Sequence, residues 1–253
     1  MKMKFVSCSP LVFALLAQCA LAAPPLEVPP VVPTRGVECL LEPHKVVSVG
    51  SPVDGVLHSV SVDRGDTVSA GQVLAQLQAG VEAASVSLSQ ARIDFGRRKM
   101  ERNESLFQKQ LISAQDKDEI ETETRIREEE LKRDQEYLKQ RTIVSPINGV
   151  VVERKLVAGD LIRSDKSVVF KLAQLDPLNV ELVMPAEQYG SVRVGMAGKV
   201  TLGGHVAGTY NANVVVVDRL IDAASGTFGV RLQLSNPGNR IPAGIRCGVR
   251  LVR

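Results

Sequence analysis

A six-residue phrase occurs twice in this sequence. Ser51-Pro52-Val53-Asp54-Gly55-Val56 returns 94 residues later as Ser145-Pro146-Ile147-Asn148-Gly149-Val150. The register holds downstream, where Gly65-Asp66 falls on Gly159-Asp160. After one inserted residue, Val73-Leu74-Ala75-Gln76-Leu77 aligns with Val168-Val169-Phe170-Lys171-Leu172. Each copy is a set of short β-branched runs broken by turn residues, the pattern of a small, tightly turned β-module rather than a βαβ unit. About thirty residues of this kind cannot bury a core alone. The two copies, 46–79 and 142–174, are therefore expected to complete each other. Gly55, Gly65 and Gly71, with Gly149 and Gly159 in the second copy, are read as turn residues, most simply supplying positive φ.

The interval between the copies, 80–141, is different in kind. From Ala114 to Arg141, 17 of 28 residues are charged, which fits a solvated helix far better than a packed one. Glu121–Arg125, Glu123–Arg127, Glu128–Lys132 and Glu129–Arg133 stand at i,i+4 with the acid first, each pair worth about 0.2–0.5 kcal/mol in an isolated helix. Apolar residues recur at seven. Val81, Leu88 and Phe95 form one row with Ala84 and Ala91 between, and Val86, Ile93, Met100 and Phe107 form another. Beyond Leu111-Ile112-Ser113, Leu131 and Leu138 continue a row through Thr124, with Ile120 beside it. The spacing predicts an antiparallel coiled-coil hairpin, with Ser113 as N-cap of the second helix and Asp116 at the capping-box position. Each arm would reach about 42–48 Å.

The flanks complete the layout. Lys2 and Lys4, the apolar run Leu11–Ala17 and the small residues of Ala20-Leu21-Ala22 read as an export signal over 1–22, cleaved after Ala22. Leu16-Ala17-Gln18-Cys19 offers a competing lipoprotein site at Cys19, for which Gln18 is a poor fit. A proline-rich linker, 23–35, follows. Residues 36–45 alternate as a strand expected to join the last domain, 175–253, whose alternating segments and Gly, Pro and Asn turns read as a small β-barrel. Val214–Val217, a continuous apolar run, is expected to be a strand buried on both faces. After cleavage Cys39 and Cys247 remain, in the first and last strands; a disulfide between them and a pair of buried free thiols are both open readings. The fold class is thus mixed β with an inserted helical hairpin.

Chemistry is sparse. His44, His58 and His205 are scattered, and no nucleophile elbow, phosphate loop or dinucleotide fingerprint appears. Two cysteines 208 residues apart, and Met184 with Met196, make no metal-ligand spacing. Arg64-Gly65-Asp66 spells an adhesion tripeptide, but the repeat accounts for its Gly-Asp. A net charge of +3 gives no reason to expect nucleic acid. The reading is of a non-enzyme without cofactor or metal.

The repeated S-P-x-x-G-V … G-D phrases resemble the two halves of lipoyl or biotinyl carrier domains, whose joining hairpin carries the modified lysine. Here the helical insertion takes that place, and no lysine lies between Lys45 and Lys99. A carrier subunit remains the alternative, without its reactive residue. Split lipoyl-like halves (a barrel-sandwich hybrid) around a helical hairpin, then a β-barrel, are similar to the periplasmic adaptors, or membrane fusion proteins, of tripartite efflux pumps. The resemblance extends over 36–253. It includes Asp176-Pro177-Leu178, Asp222, Thr227-Phe228-Gly229-Val230-Arg231, Asn236-Pro237 and Pro242-Ala243-Gly244 in family order. The family's R-x3-L-x6-S tip pattern falls on Arg102, Leu106 and Ser113, and so implies contact with an outer-membrane channel protein. The resemblance further implies a periplasmic, envelope-associated protein assembled as a homo-oligomeric ring and bound to an inner-membrane transporter. An RND-type transporter is expected ahead of an ABC-type one. Family adaptors continue past the barrel into a membrane-proximal domain, whereas this sequence stops at Arg253. Transporter contact is accordingly expected to fall to the barrel and lipoyl-like modules, or to involve a partner of another kind.

Overall fold

The structure, a computed structural model, describes residues 36–252. The export signal, the lipoprotein alternative at Cys19 and the proline-rich segment lie outside the described residues. In chain order the strands and helices are β1 (Val37–Val49), β2 (Gly55–Val60), β3 (Thr67–Val68), β4 (Val73–Leu77), α1 (Gly80–Gln108), α2 (Ala114–Gln140), β5 (Thr142–Val144), β6 (Gly149–Arg154), β7 (Leu161–Ile162), β8 (Phe170–Pro185), β9 (Ala197–Leu202), β10 (Gly208–Val217), β11 (Thr227–Leu234) and β12 (Arg246–Leu251). Short 3-10 turns cover Ala186–Ser191, Gly204–Val206 and Pro237–Asn239. None of the described helices is long and apolar enough to cross a membrane.

The two copies of the repeat fold on each other with an internal pseudo-twofold. β2 pairs with β7 through Gly55↔Ile162, and β6 pairs with β3 through Gly149↔Val68, the same contact with the halves exchanged. Hydrogen bonds repeat in the same way. Gly65 N donates to Val151 O at 2.8 Å and Gly159 N to Leu57 O at 2.7 Å. The Asp54 carboxylate accepts from Ser164 N at 2.7 Å, and the Asn148 carboxamide accepts from Ala70 N at 2.8 Å. Each half therefore ties down a loop of the other, which is why neither is complete alone. Their equivalent apolar residues, Leu57 with Val151 and Val68 with Ile162, meet in one buried core.

Three of the five glycines take the conformation expected. Gly65, Gly71 and Gly159 have φ of 95°, 83° and 97°. Gly55 and Gly149 do not: they open strands β2 and β6 and are needed for space. A Cβ on Gly149 would lie 2.3 Å from the Ala173 carbonyl oxygen, and one on Gly55 would lie 2.7 Å from the Arg141 guanidinium.

Strands β1 and β8 run without a break from this core into a second one. They pair with each other on both sides, through Cys39–Pro43 against Leu178–Leu182 and Lys45–Val49 against Phe170–Gln174, with a register shift between Pro43 and Lys45. The boundaries expected at 45/46 and 174/175 therefore fall inside continuous strands. In the second core the pairings β1–β12, β12–β9, β9–β10, β10–β11, β11–β8 and β8–β1 close a six-stranded barrel. Cys39 faces Cys247 across β1 and β12, and the two are joined as a disulfide.

Val214–Val217 departs from its expected double burial. Val214 is in the barrel core, Val216 is exposed and Val215 and Val217 are half-buried. A closed barrel wall has only one dry face, and a bulge between Val214 and Val216 shifts the register there.

The residues of the barrel phrase that carried the family resemblance are turn fixers. Asn236, 1% exposed, donates from its amide to the Leu175 carbonyl at 3.0 Å and the Ile241 carbonyl at 2.8 Å. Its carbonyl oxygen accepts from Ile241 N at 2.9 Å, and its own backbone N–H reaches the Asp176 carboxylate at 2.8 Å. Asp222 likewise accepts from Ala224 N at 2.8 Å within the β10–β11 turn.

Candidate functional site

The helices leave the sandwich where β4 ends and return where β5 begins, with β4 and β5 paired beneath them. Arg141, the last residue before β5, fixes the base. It donates to the Asp54 carbonyl at 2.7 Å and to the Glu82 carboxylate at 2.5 Å, bridging the repeat loop to the first turn of α1. Nothing in the local sequence distinguishes Arg141 from its charged neighbours.

α1 and α2 pack antiparallel. The α1 seam is Glu82, Val86, Ser89, Ile93, Gly96, Met100, Asn103 and Phe107, alternating three and four, and all except Met100 are buried or half-buried. Half of the expected apolar pattern is therefore reversed. The row Val86–Ile93–Met100–Phe107 faces α2, but Val81, Leu88 and Phe95 point to solvent, at 77%, 54% and 53% exposure. The reason lies in the alternate seam positions, which are polar or small. Ser89 donates to the buried Asp134 carboxylate at 2.5 Å, and Gly96 lets Thr124 close in, so that a Cβ there would sit 3.3 Å from its hydroxyl. A purely apolar search cannot find such a seam.

Most of the charged ladder also pairs differently. Of the four i,i+4 pairs expected, Glu123–Arg127 forms at 2.6 Å. Glu128 is taken across the hairpin by Arg97 at 3.0 Å, and Arg133 turns to Asp134 at 2.8 Å. Arg97 reaches Glu128 from the facing helix, and Asp134, although on α2 itself, is already held by Ser89, so these positioned partners outcompete an exposed neighbour that must itself be ordered.

At the tip α1 ends in a Schellman arrangement. Gln110 adopts φ 59°, Gln110 N donates to Phe107 O at 2.8 Å and Leu111 N to Leu106 O at 2.9 Å. Ser113 then caps α2 through a full capping box with Asp116. Its hydroxyl donates to the Asp116 carboxylate at 2.6 Å and accepts from Asp116 N at 3.1 Å. Ser113 is thus committed to shaping the turn. Arg102 and Leu106 stand one turn apart on the same side of α1, the first exposed and the second half-buried. Leu111, 66% exposed, adds an apolar knob whose exposure the sequence of the turn does not announce. Lys117 braces the tip from α2, bonding Glu104 at 2.7 Å and lying 4.9 Å over the Phe107 ring.

These bonds hold several carboxyls below their ordinary range. Ser89, then Arg133, lowers Asp134; Lys99, then Arg127, lowers Glu123; Ser113 lowers Asp116. Lowered values mean that ionisation favours the fold, so this support is full above the ordinary values of 3.8 and 4.5 and is lost as pH falls through the folded-state values. Far-UV helix signal should therefore decline in acid below that range. In Asp134→Asn the decline should be shallower, and a signal that stays flat well below both values contradicts the account.

Among the described residues no group of three or more His, Cys, Asp or Glu is placed to hold a metal ion. Asp66 of the Arg-Gly-Asp tripeptide accepts from Asp63 N at 2.7 Å inside its own turn, as Asp160 does from Val157 N at 2.8 Å. What the molecule presents is a helical arm on a β-scaffold. The family description "CzcB-like, barrel-sandwich hybrid domain" matches residues 45–174, just over half of the chain. This chain belongs to that family, the membrane fusion proteins. Members of the family are non-catalytic adaptors. The adaptor is similar to the "Efflux pump periplasmic linker BepD" of Brucella suis, at 26% identity over 79% of this chain and 58% of that protein. It is also similar to the "Multidrug resistance protein MdtA" of Klebsiella pneumoniae, at 28% identity over 75% of this chain and 51% of that protein. Its fold matches a crystallised MacA–MexA chimera carrying the Pseudomonas aeruginosa MexA α-hairpin, with TM-score 0.72 and 19% identity over 85% of this chain and 77% of that one. The adaptor spans 51% to 60% of the length of the curated relatives it matches.

Proposed function

We propose that this adaptor works in the periplasm, linking an inner-membrane transporter to an outer-membrane channel for efflux of small molecules, and that it assembles as a ring of copies. The observation that carries the reading is the exchange at the β4–β5 junction. Where a carrier domain would present a lysine on a short hairpin, this chain presents two paired helices braced at the base by Arg141 and at the tip by Lys117. Such an arm offers reach in place of a reactive group. The seam of Val86, Ile93, Met100 and Phe107 against Thr124, Leu131 and Leu138 is read as a short antiparallel coiled coil.

In this reading the tip meets the channel. Arg102 supplies a planar, multivalent donor for carbonyl or carboxylate oxygens, and Leu106, joined by Leu111, fills a groove. Ser113 contributes by holding the turn. The relatives' names, a periplasmic linker and a multidrug resistance protein, agree with this placement. An RND-type transporter is the preferred partner, with an ABC-type exporter next.

The double variant Arg102→Glu, Leu106→Asp should lose cross-linking to the channel protein in intact cells and lower drug tolerance at least tenfold. Its helix content should stay near the parent's, because both side chains are wholly or partly solvent-facing. Unchanged cross-linking would remove the tip from the docking surface. Intact-mass analysis of the mature protein should show no lipoyl or biotinyl adduct; an adduct would restore the carrier alternative.

A further inference from the structure

The outer wall of the barrel over β9, β10 and β12 carries cations without carboxylates. Burial alternates along these strands, so that Lys199, Thr201, Thr209, Asn211, Arg246 and Arg250 face outward, and none of the three strands contains an Asp or Glu. The whole chain has 31 basic and 28 acidic residues, so such a face is a local segregation and not a reflection of composition. Lys199 and Arg250 stand directly opposite each other across β9 and β12. Like charges so placed destabilise a sheet, and among the described residues neither forms an ion pair. Glu38, on β1 opposite Gly248, lines the adjoining groove with Arg246.

On the next outward rung, Thr201 pairs with Gly248 on one side and with Thr209 on the other. Gly248 has no side chain, and its place is taken by a groove of about 360 Å³ walled by Lys199, Arg250, Thr201 and Thr209. We propose that this groove is an oxyanion site that takes a phosphate group. Neighbouring strands are about 4.8 Å apart and outward residues on one strand about 6.8 Å apart, so the two long basic side chains and the two hydroxyls can meet over one ligand. Arginine supplies a planar fork of donors, lysine a compact charge and each threonine a hydroxyl. A carboxylate has only two oxygens for these four groups, whereas a phosphate can meet donors on both rungs. An anion seated there also relieves the repulsion between Lys199 and Arg250.

The place of the groove in the barrel points to the source of the phosphate. Arg250 follows Val249, which pairs with Val37 at the start of β1, whereas β1 enters the sandwich at its other end. The groove therefore lies at the end of the barrel remote from the sandwich. Further out along the same strands, Val252 N donates to Ala197 O at 2.8 Å. Val252 and Val194 are exposed there, at 43% and 66%. Cations and hydroxyls set one step inside an aliphatic rim follow the order of a bilayer interface, with phosphate at the cations and acyl chain beyond. The headgroup of an anionic phospholipid is the favoured source, ahead of a soluble phosphate. The inference depends on neither the channel contact nor the ring.

Two arms separate the sources, both on the exported protein in a Cys19→Ser background, which removes any acyl anchor at that residue. In the first, the parent should float with phosphatidylglycerol vesicles and stay behind with phosphatidylcholine vesicles. Lys199→Gln with Arg250→Gln should lower the bound fraction roughly tenfold, and Lys45→Gln with Lys155→Gln, an equal charge loss away from the groove, less than about twofold. In the second arm, inorganic phosphate at constant ionic strength should raise the melting midpoint of the parent and leave that of the groove variant unmoved. Without phosphate the groove variant should melt at or above the parent's midpoint, because both side chains are exposed and their mutual repulsion is gone. A phosphate shift without flotation keeps the site and replaces the lipid by a soluble ligand. Flotation that the groove variant leaves intact, or that the control loses equally, overturns the lipid assignment. Absence of both the phosphate shift and groove-dependent flotation overturns the site.

Discussion

Replacing Gly149 with alanine should destabilise the sandwich by about 3 kcal/mol or more, a large share of the 5–15 kcal/mol that holds a typical domain. The added Cβ would stand 2.3 Å from the Ala173 carbonyl oxygen and 2.9 Å from its carbon. Those atoms belong to β8, which is held by β1 on one side and β6 on the other, so neither can retreat without breaking ladder bonds. The repeat supplies two internal controls. At Gly159 a Cβ meets nothing within 4 Å, and the cost is that of a φ of 97° alone, about 1–2 kcal/mol. At Gly55, the partner of Gly149 in the repeat, a Cβ meets the ends of the Arg141 and Leu77 side chains, which can move. Urea midpoints should therefore fall most for Gly149→Ala, less for Gly159→Ala, and at Gly55 should be accompanied by loosening of the hairpin base. Gly149→Ala and Gly159→Ala within 1 kcal/mol of each other would show that β8 yields, and the steric argument would fail.

Asn236→Leu should cost the barrel about 3 kcal/mol or more. The substitution keeps the approximate volume but leaves the Leu175 and Ile241 carbonyls and the Ile241 N–H without their partners. Each unsatisfied buried group costs about 1–3 kcal/mol. Water cannot easily substitute, since Asn236 is 1% exposed. Thermal unfolding monitored in the barrel should move to markedly lower temperature, while the hairpin keeps its helix content. A midpoint equal to the parent's would mean that the strand ends relax to satisfy one another.

The sandwich was legible because its two halves are written in the same phrase, and a repeated phrase exposes structure that a single copy hides. The glycines were legible only as a class: Gly65 and Gly149 are one residue type with opposite needs, an unusual φ in one case and bare space in the other. Space is a property of the neighbour, and the neighbour of Gly149 is 24 residues downstream. The helical arm was visible in its composition, but its facing was not. Two apolar rows compete on α1, and the choice is made by Ser89 and Gly96, which have no apolar signature at all. At the tip Ser113 announced itself by its spacing to Asp116, while Leu111 needed the left-handed turn at Gln110 to be lifted into solvent.

The continuous ribbon of β1 and β8 has a consequence for the order in which the molecule forms. The sandwich has all of its strands once Leu172 has been made, and its contacts can begin to close then. The barrel cannot follow at once, because the far edge of β1 is completed by β12, at Arg246–Leu251. For most of the time that the chain is growing, Val37–Leu40 is an open strand edge waiting for a partner more than two hundred residues away. Contacts that distant are slow to find. A bare edge is where a foreign strand adds on. The barrel, rather than the helical arm, is therefore the place where maturation of this protein is vulnerable.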